Sequence, residues 1–265
     1  MQVRTRYTKT VYKKPSKGLK MRIQILGVGK FGSLIVRHFL QSGFEVYAWD
    51  IRFGSGASEE QAVLRSLGCH TSIAESPDIV LYAIFPEQVR TKYASLIETS
   101  REKPLEINVS SVQQSGINSL LPQANGEILS FHTLFGPQAI TDDSSWKGKQ
   151  MIVTVEPEND ERAAAVIDSF TERGVQIIRM SPSEHDRRML IHALAFLVGA
   201  LVEEGIRGAN LDLLTNSGEQ MLGLLKFTGA NSPDLKRHIL GNPALKPVVP
   251  RLRRVLEELS AEHDW

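Results

Sequence analysis

The residues best suited to chemistry lie in Ser130-Phe131-His132-Thr133-Leu134-Phe135-Gly136-Pro137, downstream of a glycine turn, Gly27-Val28-Gly29-Lys30-Phe31-Gly32. An imidazole titrates near neutrality, so His132 can accept a proton from a substrate hydroxyl while a redox cofactor takes a hydride. The segment alone is equally compatible with a buried histidine capping a strand end. No competing catalytic motif intervenes between the two segments.

The glycine turn offers the other half of such a reaction. Gly27 permits a tight turn, Gly29 lets the backbone approach a pyrophosphate, and Gly32 allows close packing of helix on strand, with a helix N-terminus facing the phosphates. Val28, Lys30 and Phe31 complete the loop. A bare glycine pattern is weak, but this one follows an apolar strand, opens a helix and is answered by Asp50 at the end of the next strand. Asp50 is expected to accept hydrogen bonds from the adenosine ribose and to repel a 2′-phosphate, which favours NAD; Arg52 keeps NADP open. Phe85 and Pro86, after the third apolar run, are assigned to the same cofactor site.

The elements that must position these residues follow a βαβ rhythm. Strands are expected at 22–26, 45–49, 79–84, 107–109, 128–132, 151–155 and 176–180, with helices at 31–41 and 160–173. Strands alternating with helices imply an α/β fold, a Rossmann-type doubly wound, mostly parallel sheet. After Met180 strand signals stop. Ser181-Pro182-Ser183-Glu184-His185-Asp186 reads as a helix start with Ser183 as N-cap, and helices are expected over 184–206, 210–228, 233–240 and 243–262. The expected organisation is a basic, disordered tail at 1–20, a dinucleotide-binding domain at 21–182 and a smaller all-helical domain at 183–265. So small a helical domain with long apolar faces is expected to pack against a twin, making a homodimer.

Composition narrows the classes of function. The chain has 265 residues, 42% apolar and 23% charged, with a formal net charge of +1. Nothing in that balance favours a nucleic-acid partner. Its most apolar run, Met189 to Val202, is too short to span a bilayer and reads as a core helix. The single cysteine, Cys69, forms no internal disulfide and no cysteine-built metal site, which suits a reducing cytoplasm. No metal is expected. The leader carries Arg4, Arg6, Lys9, Lys13, Lys14, Lys17 and Lys20 with no acid before Glu45, a composition also compatible with organellar targeting.

Four motifs in order resemble those of the prephenate and arogenate dehydrogenases, over about residues 21 to 262. Ile25 to Gly32 is similar to the family's opening turn. Asn108-Val109-Ser110-Ser111-Val112-Gln113 resembles its Asp-x-x-Ser-Val-Lys element, and Phe131 to Pro137 its Thr/Leu-His-Pro-Met-Phe-Gly-Pro signature. Glu184-His185-Asp186 matches the Glu-His-Asp that opens its dimerising helical domain. The resemblance implies oxidative decarboxylation of prephenate or arogenate, with His132 accepting the ring hydroxyl proton and Ser111 bonding that hydroxyl or orienting the imidazole and nicotinamide.

The chain departs from the pattern at identifiable places. Asn108 stands for aspartate, Gln113 for lysine, and Thr133-Leu134 for Pro-Met. The second histidine of many prephenate-using members is absent from Leu194-Ala195-Phe196-Leu197. His192 lies a turn or so early and reads as a core or interface histidine; it and His185 are kept as substrate-binding candidates. The resemblance also places a substrate cation near Lys226, with Arg187, Arg188, Lys236 and Arg237 as other candidates. Two further readings stay open: a 4-amino-4-deoxyprephenate dehydrogenase, and a dinucleotide-binding regulatory protein without turnover.

Overall fold

A run of apolar residues that sits in the middle of a sheet must be covered on both faces, and Arg22–Leu26 (β1) is such a run: every residue after Arg22 is buried. Glu45–Trp49 (β2) instead alternates buried and half-buried positions, as an edge strand does. The computed structural model describes residues 20–55, 59–85, 88, 103–120, 126–209, 211–212 and 214–263. The expected tail, apart from Lys20, and Pro86 lie outside the described residues.

The other strands are Ile79–Tyr82 (β3), Leu105–Asn108 (β4), Ile128–Thr133 (β5), Gln150–Val155 (β6) and Gln176–Arg179 (β7), giving the order β2-β1-β3-β4-β5-β6-β7. From β2 to β5 all neighbours are parallel; β6 runs antiparallel to β5, and β7 parallel to β6. The mostly parallel Rossmann-type sheet expected from the sequence is therefore present. The order reverses at β1, so the C-terminal ends of β1 and its neighbours open onto the crevice where such sheets bind ligands. The β5–β6 register shifts between Ser130 and Phe131, one residue before His132. An irregularity of this kind re-aims the side chains beside it.

Helices Lys30–Gln41 (α1), Glu59–Ser66 (α2), Gln113–Leu120 (α3) and Glu161–Glu172 (α4) accompany the sheet. Phe39, Phe131 and Phe170, all fully buried, meet in the core between sheet and helices. Among the described residues only helices follow β7: Pro182–Arg188 (α5), Leu190–Gly205 (α6), Asn216–Gly229 (α7), Pro233–Leu240 (α8) and Val249–His263 (α9). The helix expected at 184–206 is thus two, interrupted at Met189. Its N-cap is Ser181, not Ser183: the Ser181 hydroxyl accepts from the Glu184 N–H and Pro182 takes the first helical position. Proline lacks the N–H that this position leaves unbonded anyway, so the cap falls on the residue before it. The helix expected at 243–262 starts as a 3₁₀ turn, Pro243–Leu245, before α9. Among the described residues no helix is long and apolar enough to cross a membrane.

Candidate active site

At the cofactor end the geometry explains each glycine. Gly27 has φ of 92°, and a Cβ there would lie 2.4 Å from the Ile84 side chain; at Gly32 it would lie 2.1 Å from the Gly27 carbonyl oxygen. Both positions exclude any side chain. A Cβ on Gly29 would meet nothing within 4 Å, and no side chain caps α1. The first turn of α1 therefore keeps its free N–H groups at an open space, which suits a pyrophosphate. Lys30 is exposed beside it and Phe31 packs against the core.

Asp50 follows β2 and is 7% exposed. Its Oδ2 accepts from the Val28 N–H at 2.8 Å, which ties it to the glycine turn. Arg52 grips both oxygens, through Nε to Oδ1 at 2.7 Å and Nη2 to Oδ2 at 3.0 Å, and also donates to the Val28 carbonyl at 2.6 Å. Burial works against ionisation of Asp50, but the bonds from Arg52 and Val28 outweigh it and hold the carboxyl below its ordinary range.

The proton-transfer end is assembled from both halves of the chain. His132, in β5, has Nδ1 3.0 Å from His185 Nε2. His185 Nδ1 lies 2.8 Å from Asp186 Oδ1, and the Asp186 carboxylate accepts from the N–H groups of Gln113 at 2.8 Å and Gln114 at 3.0 Å. His185 is fully buried and Asp186 is 2% exposed. A continuous chain of hydrogen bonds therefore runs from His132 to the first turn of α3. Burial, then the neighbouring His185, His192 and His238, pushes the His132 pKa down to about 3. The ring is neutral at pH 7, and His132 Nε2 has no hydrogen-bond partner among the described residues.

Ser111 lies half-buried in the turn between β4 and α3, and its hydroxyl forms no hydrogen bond with His132. Two clamps from the helical segment hold that turn: Asp186 takes the Gln113 and Gln114 N–H groups, and His238 Nε2 accepts from the Val112 N–H at 3.2 Å. Phe85 follows β3, its ring centroid 6.1 Å from that of His238. Beneath the turn lies a buried neutral network. Gln113 Nε2 donates to the Ser110 carbonyl at 2.6 Å and the Phe131 carbonyl at 3.2 Å, while its Oε1 accepts from the Ser130 hydroxyl at 2.7 Å and from Thr154. Asn108 Nδ2 donates to Ser130 at 2.8 Å. Asparagine and glutamine are thus two neutral groups bridged by the Ser130 hydroxyl, which accepts from one and donates to the other.

Three expected substrate contacts fare differently. His185 has no exposed surface, and both its ring nitrogens are engaged, one with His132 and one with Asp186. His192 is half-buried on α6 against Phe196 and Phe227, at 5.1 and 6.4 Å between ring centroids, and close enough to influence His132. Lys226 is exposed on α7 and forms no ion pair among the described residues. Sequence reasoning missed Asp186 and His238. The Glu-His-Asp motif contained a signal for Asp186, but His238 sits in an ordinary helix with nothing beside it in sequence to mark it.

No family model matches the chain. It is 25% identical to chloroplastic arogenate dehydrogenase 1 of Arabidopsis thaliana over 91% of this chain and 42% of that protein. It is also 30% identical to the T-protein of Enterobacter agglomerans over 41% of this chain and 28% of that protein. The chain spans less than half the length of these curated relatives. Among solved structures, prephenate dehydrogenase from Aquifex aeolicus in complex with hydroxyphenyl propionate and NAD+ shares the fold, with a TM-score of 0.69, 19% identity and 94% of each chain covered. Arogenate dehydrogenase from Synechocystis does so with a TM-score of 0.65 and 17% identity, over 92% of this chain and 94% of that one. The chain is thus similar in sequence to a plant arogenate dehydrogenase and shares the fold of the prephenate and arogenate dehydrogenases.

Proposed function

We propose that this protein carries out the NAD(P)-dependent oxidative decarboxylation of prephenate or arogenate, giving 4-hydroxyphenylpyruvate or tyrosine. The observation that carries the reading is His132: a neutral imidazole at the C-terminal end of β5, with one nitrogen engaged behind it and the other unbonded, in a sheet whose first turn is shaped for a dinucleotide. Gly27, Gly29, Gly32 and the α1 N-terminus would hold the pyrophosphate, Asp50 the ribose, and Phe85 the region toward the nicotinamide. Bound there, the nicotinamide supplies the hydride acceptor.

In this reading His132 Nε2 accepts the C4 hydroxyl proton as hydride leaves C4, giving a dienone. Loss of carbon dioxide from the opposite ring carbon then makes a phenolate, to which His132 returns the proton. Net products are the aromatic acid, carbon dioxide and reduced cofactor, with no proton released. The work of the protein is alignment, with one acceptor at the hydroxyl. Ser111, held by Asp186 and His238 through its turn, sits to bond the same hydroxyl. A dianionic substrate would also stabilise the protonated ring, offsetting the depression of the His132 pKa.

A homodimer through the helical segment belongs to the same proposal. That segment's own core is small, Ala193, Phe196, Ile239 and Leu245 with neighbours. It leaves Ile191 74%, Leu201 51%, Phe227 48% and Leu256 54% exposed. A second copy would cover these faces and would bring a partner's Lys226 or arginines toward the substrate carboxylates. A buried free thiol, Cys69, agrees with a reducing cytoplasm. The test is the rise of reduced-nicotinamide absorbance on adding NAD or NADP with prephenate, arogenate or the 4-amino analogue. No turnover with any of them, in protein that binds the dinucleotide, would favour the regulatory alternative.

A further inference from the structure

We infer that His185 and Asp186 are positioning residues that hold His132 in a single tautomer, proton on Nδ1 and lone pair on Nε2, so that the ring can act only as an acceptor toward the substrate. This deepens the function proposed above and rests on it for its catalytic consequence, though the tautomer itself can be observed without turnover.

The assignment follows from counting donors. A carboxylate offers only acceptors, and the N–H groups of Gln113 and Gln114 already point at Asp186, one at each oxygen. The contact between His185 Nδ1 and Asp186 Oδ1 at 2.8 Å therefore needs the proton on His185 Nδ1. A neutral His185 then presents a bare Nε2, and the 3.0 Å contact with His132 needs the proton on His132 Nδ1. That leaves His132 Nε2 bare. With one proton on His185 the two contacts fix both rings, and the chain starts at backbone N–H groups, which can only donate; a second proton on His185 would donate to His132 instead and put the His132 proton on Nε2.

Burial makes the arrangement selective. His185 is fully enclosed and Asp186 nearly so, so water does not compete for either bond. Asp186 is further fixed by Asn242 Nδ2, which donates to its backbone carbonyl at 3.0 Å. Two consecutive residues at the start of the helical segment thus reach the N-terminus of α3 on one side and the candidate base on the other. This gives Glu184-His185-Asp186 a chemical role in addition to opening a helix.

The test reads the tautomer and the turnover separately, in the full-length protein. Imidazole ¹⁵N resonances of His132, assigned by their loss in His132→Asn, should show Nδ1 protonated and Nε2 bare in the unsubstituted protein. In Asp186→Asn the amide nitrogen takes either the Oδ2 place, facing the Gln114 N–H, or the Oδ1 place, facing both the Gln113 N–H and His185. Facing His185, it reverses both rings and puts the His132 proton on Nε2. The kcat should fall about a hundredfold or more with KM changed less than about threefold; trapping the wrong tautomer in a serine-protease triad costs about 10⁴ in kcat. His185→Gln, whose amide can accept from His132 and donate to Asp186, should retain at least about ten times the kcat of His185→Leu. A proton on Nε2 in the unsubstituted protein would overturn the proposal, as would unchanged kcat in an Asp186→Asn protein whose His132 proton has moved to Nε2, or equal kcat in the two His185 variants. If Asp186→Asn does not fold, the native tautomer and the His185 pair still decide. An Nδ1–H tautomer that reverses in Asp186→Asn, in protein that turns over no cyclohexadienyl substrate, would keep the relay and sink the function.

Discussion

The two ends of the site are built by opposite means. The cofactor end is local: Gly27 to Gly32, Asp50 and Arg52 fall within one strand-helix-strand unit, and the Val28 N–H reaches Asp50 across 22 residues. The proton end is assembled at long range: His132 meets His185 across 53 residues, and Asp186 meets Gln113 across 73. A local site tolerates change elsewhere in the molecule. A long-range one depends on the docking of the helical segment onto the sheet, so its variants should couple chemistry to folding.

Substitutions can test that contrast. The largest effect is expected of His132→Asn, which should lower kcat by about 10³ or more while leaving dinucleotide affinity within about threefold. A loss of both would mean the ends are not separable. Next comes Gln113→Lys, which buries an ammonium in a neutral network where the Ser130 hydroxyl loses its acceptor and the Thr154 hydroxyl keeps only the Ser130 carbonyl. We expect roughly 3 kcal/mol of destabilisation, read by denaturant titration, and partial recovery on adding Asn108→Asp. Failure to recover would show that the two positions do not act as a pair.

Arg52→Ala tests the local end. It removes the guanidinium from both Asp50 oxygens, leaving only the backbone N–H groups of residues 28 and 52 on them, and removes a cation from the 2′-position, so the ratio of NAD to NADP affinity should rise about tenfold, near 1.4 kcal/mol, by fluorescence titration. An unchanged ratio would mean that Arg52 does not act in cofactor choice.

The smallest effect at neutral pH is expected of His38→Phe. Burial, then Arg173, lowers the His38 pKa from 6.5 to about 3. Its ring stacks on Phe170 at 4.1 Å between centroids, a place phenylalanine can fill. Between those pH values the unfolded chain binds a proton that the folded chain does not. The stability linked to neutral His38 is complete above about pH 6.5 and declines as pH falls toward 3. The variant should therefore flatten Tm against pH over that window, in part only, since His132 is depressed in the same direction. A slope identical to the parent protein would mean that His38 does not remain neutral.

Much of this was legible in the chain. All seven expected strands are present within two or three residues of their expected limits, because each is a short apolar run bounded by glycine, proline or polar residues. The roles of Gly27 and Gly32 were legible because a backbone that excludes a Cβ leaves only glycine. Less legible were the breaks inside helical runs. Apolar periodicity continues through Met189, and only the packing of α5 against α3 and β6 shows why the helix divides there. The contact of His185 with His132 was illegible for a related reason: a histidine beside a carboxylate looks the same in sequence whether it faces a ligand or a second histidine.

The sequence by itself determined the sheet, the dinucleotide turn and the candidacy of His132, since periodicity, glycine requirements and side-chain chemistry are properties of neighbouring residues. Only the tertiary structure decided that Arg52 covers Asp50, that Asn108 and Gln113 share one neutral network, and that His185 and Asp186 stand behind His132. Those are facts about which donors face which acceptors after distant segments have packed. Hydrogen-bond direction is set by that packing and leaves no periodic trace in the chain.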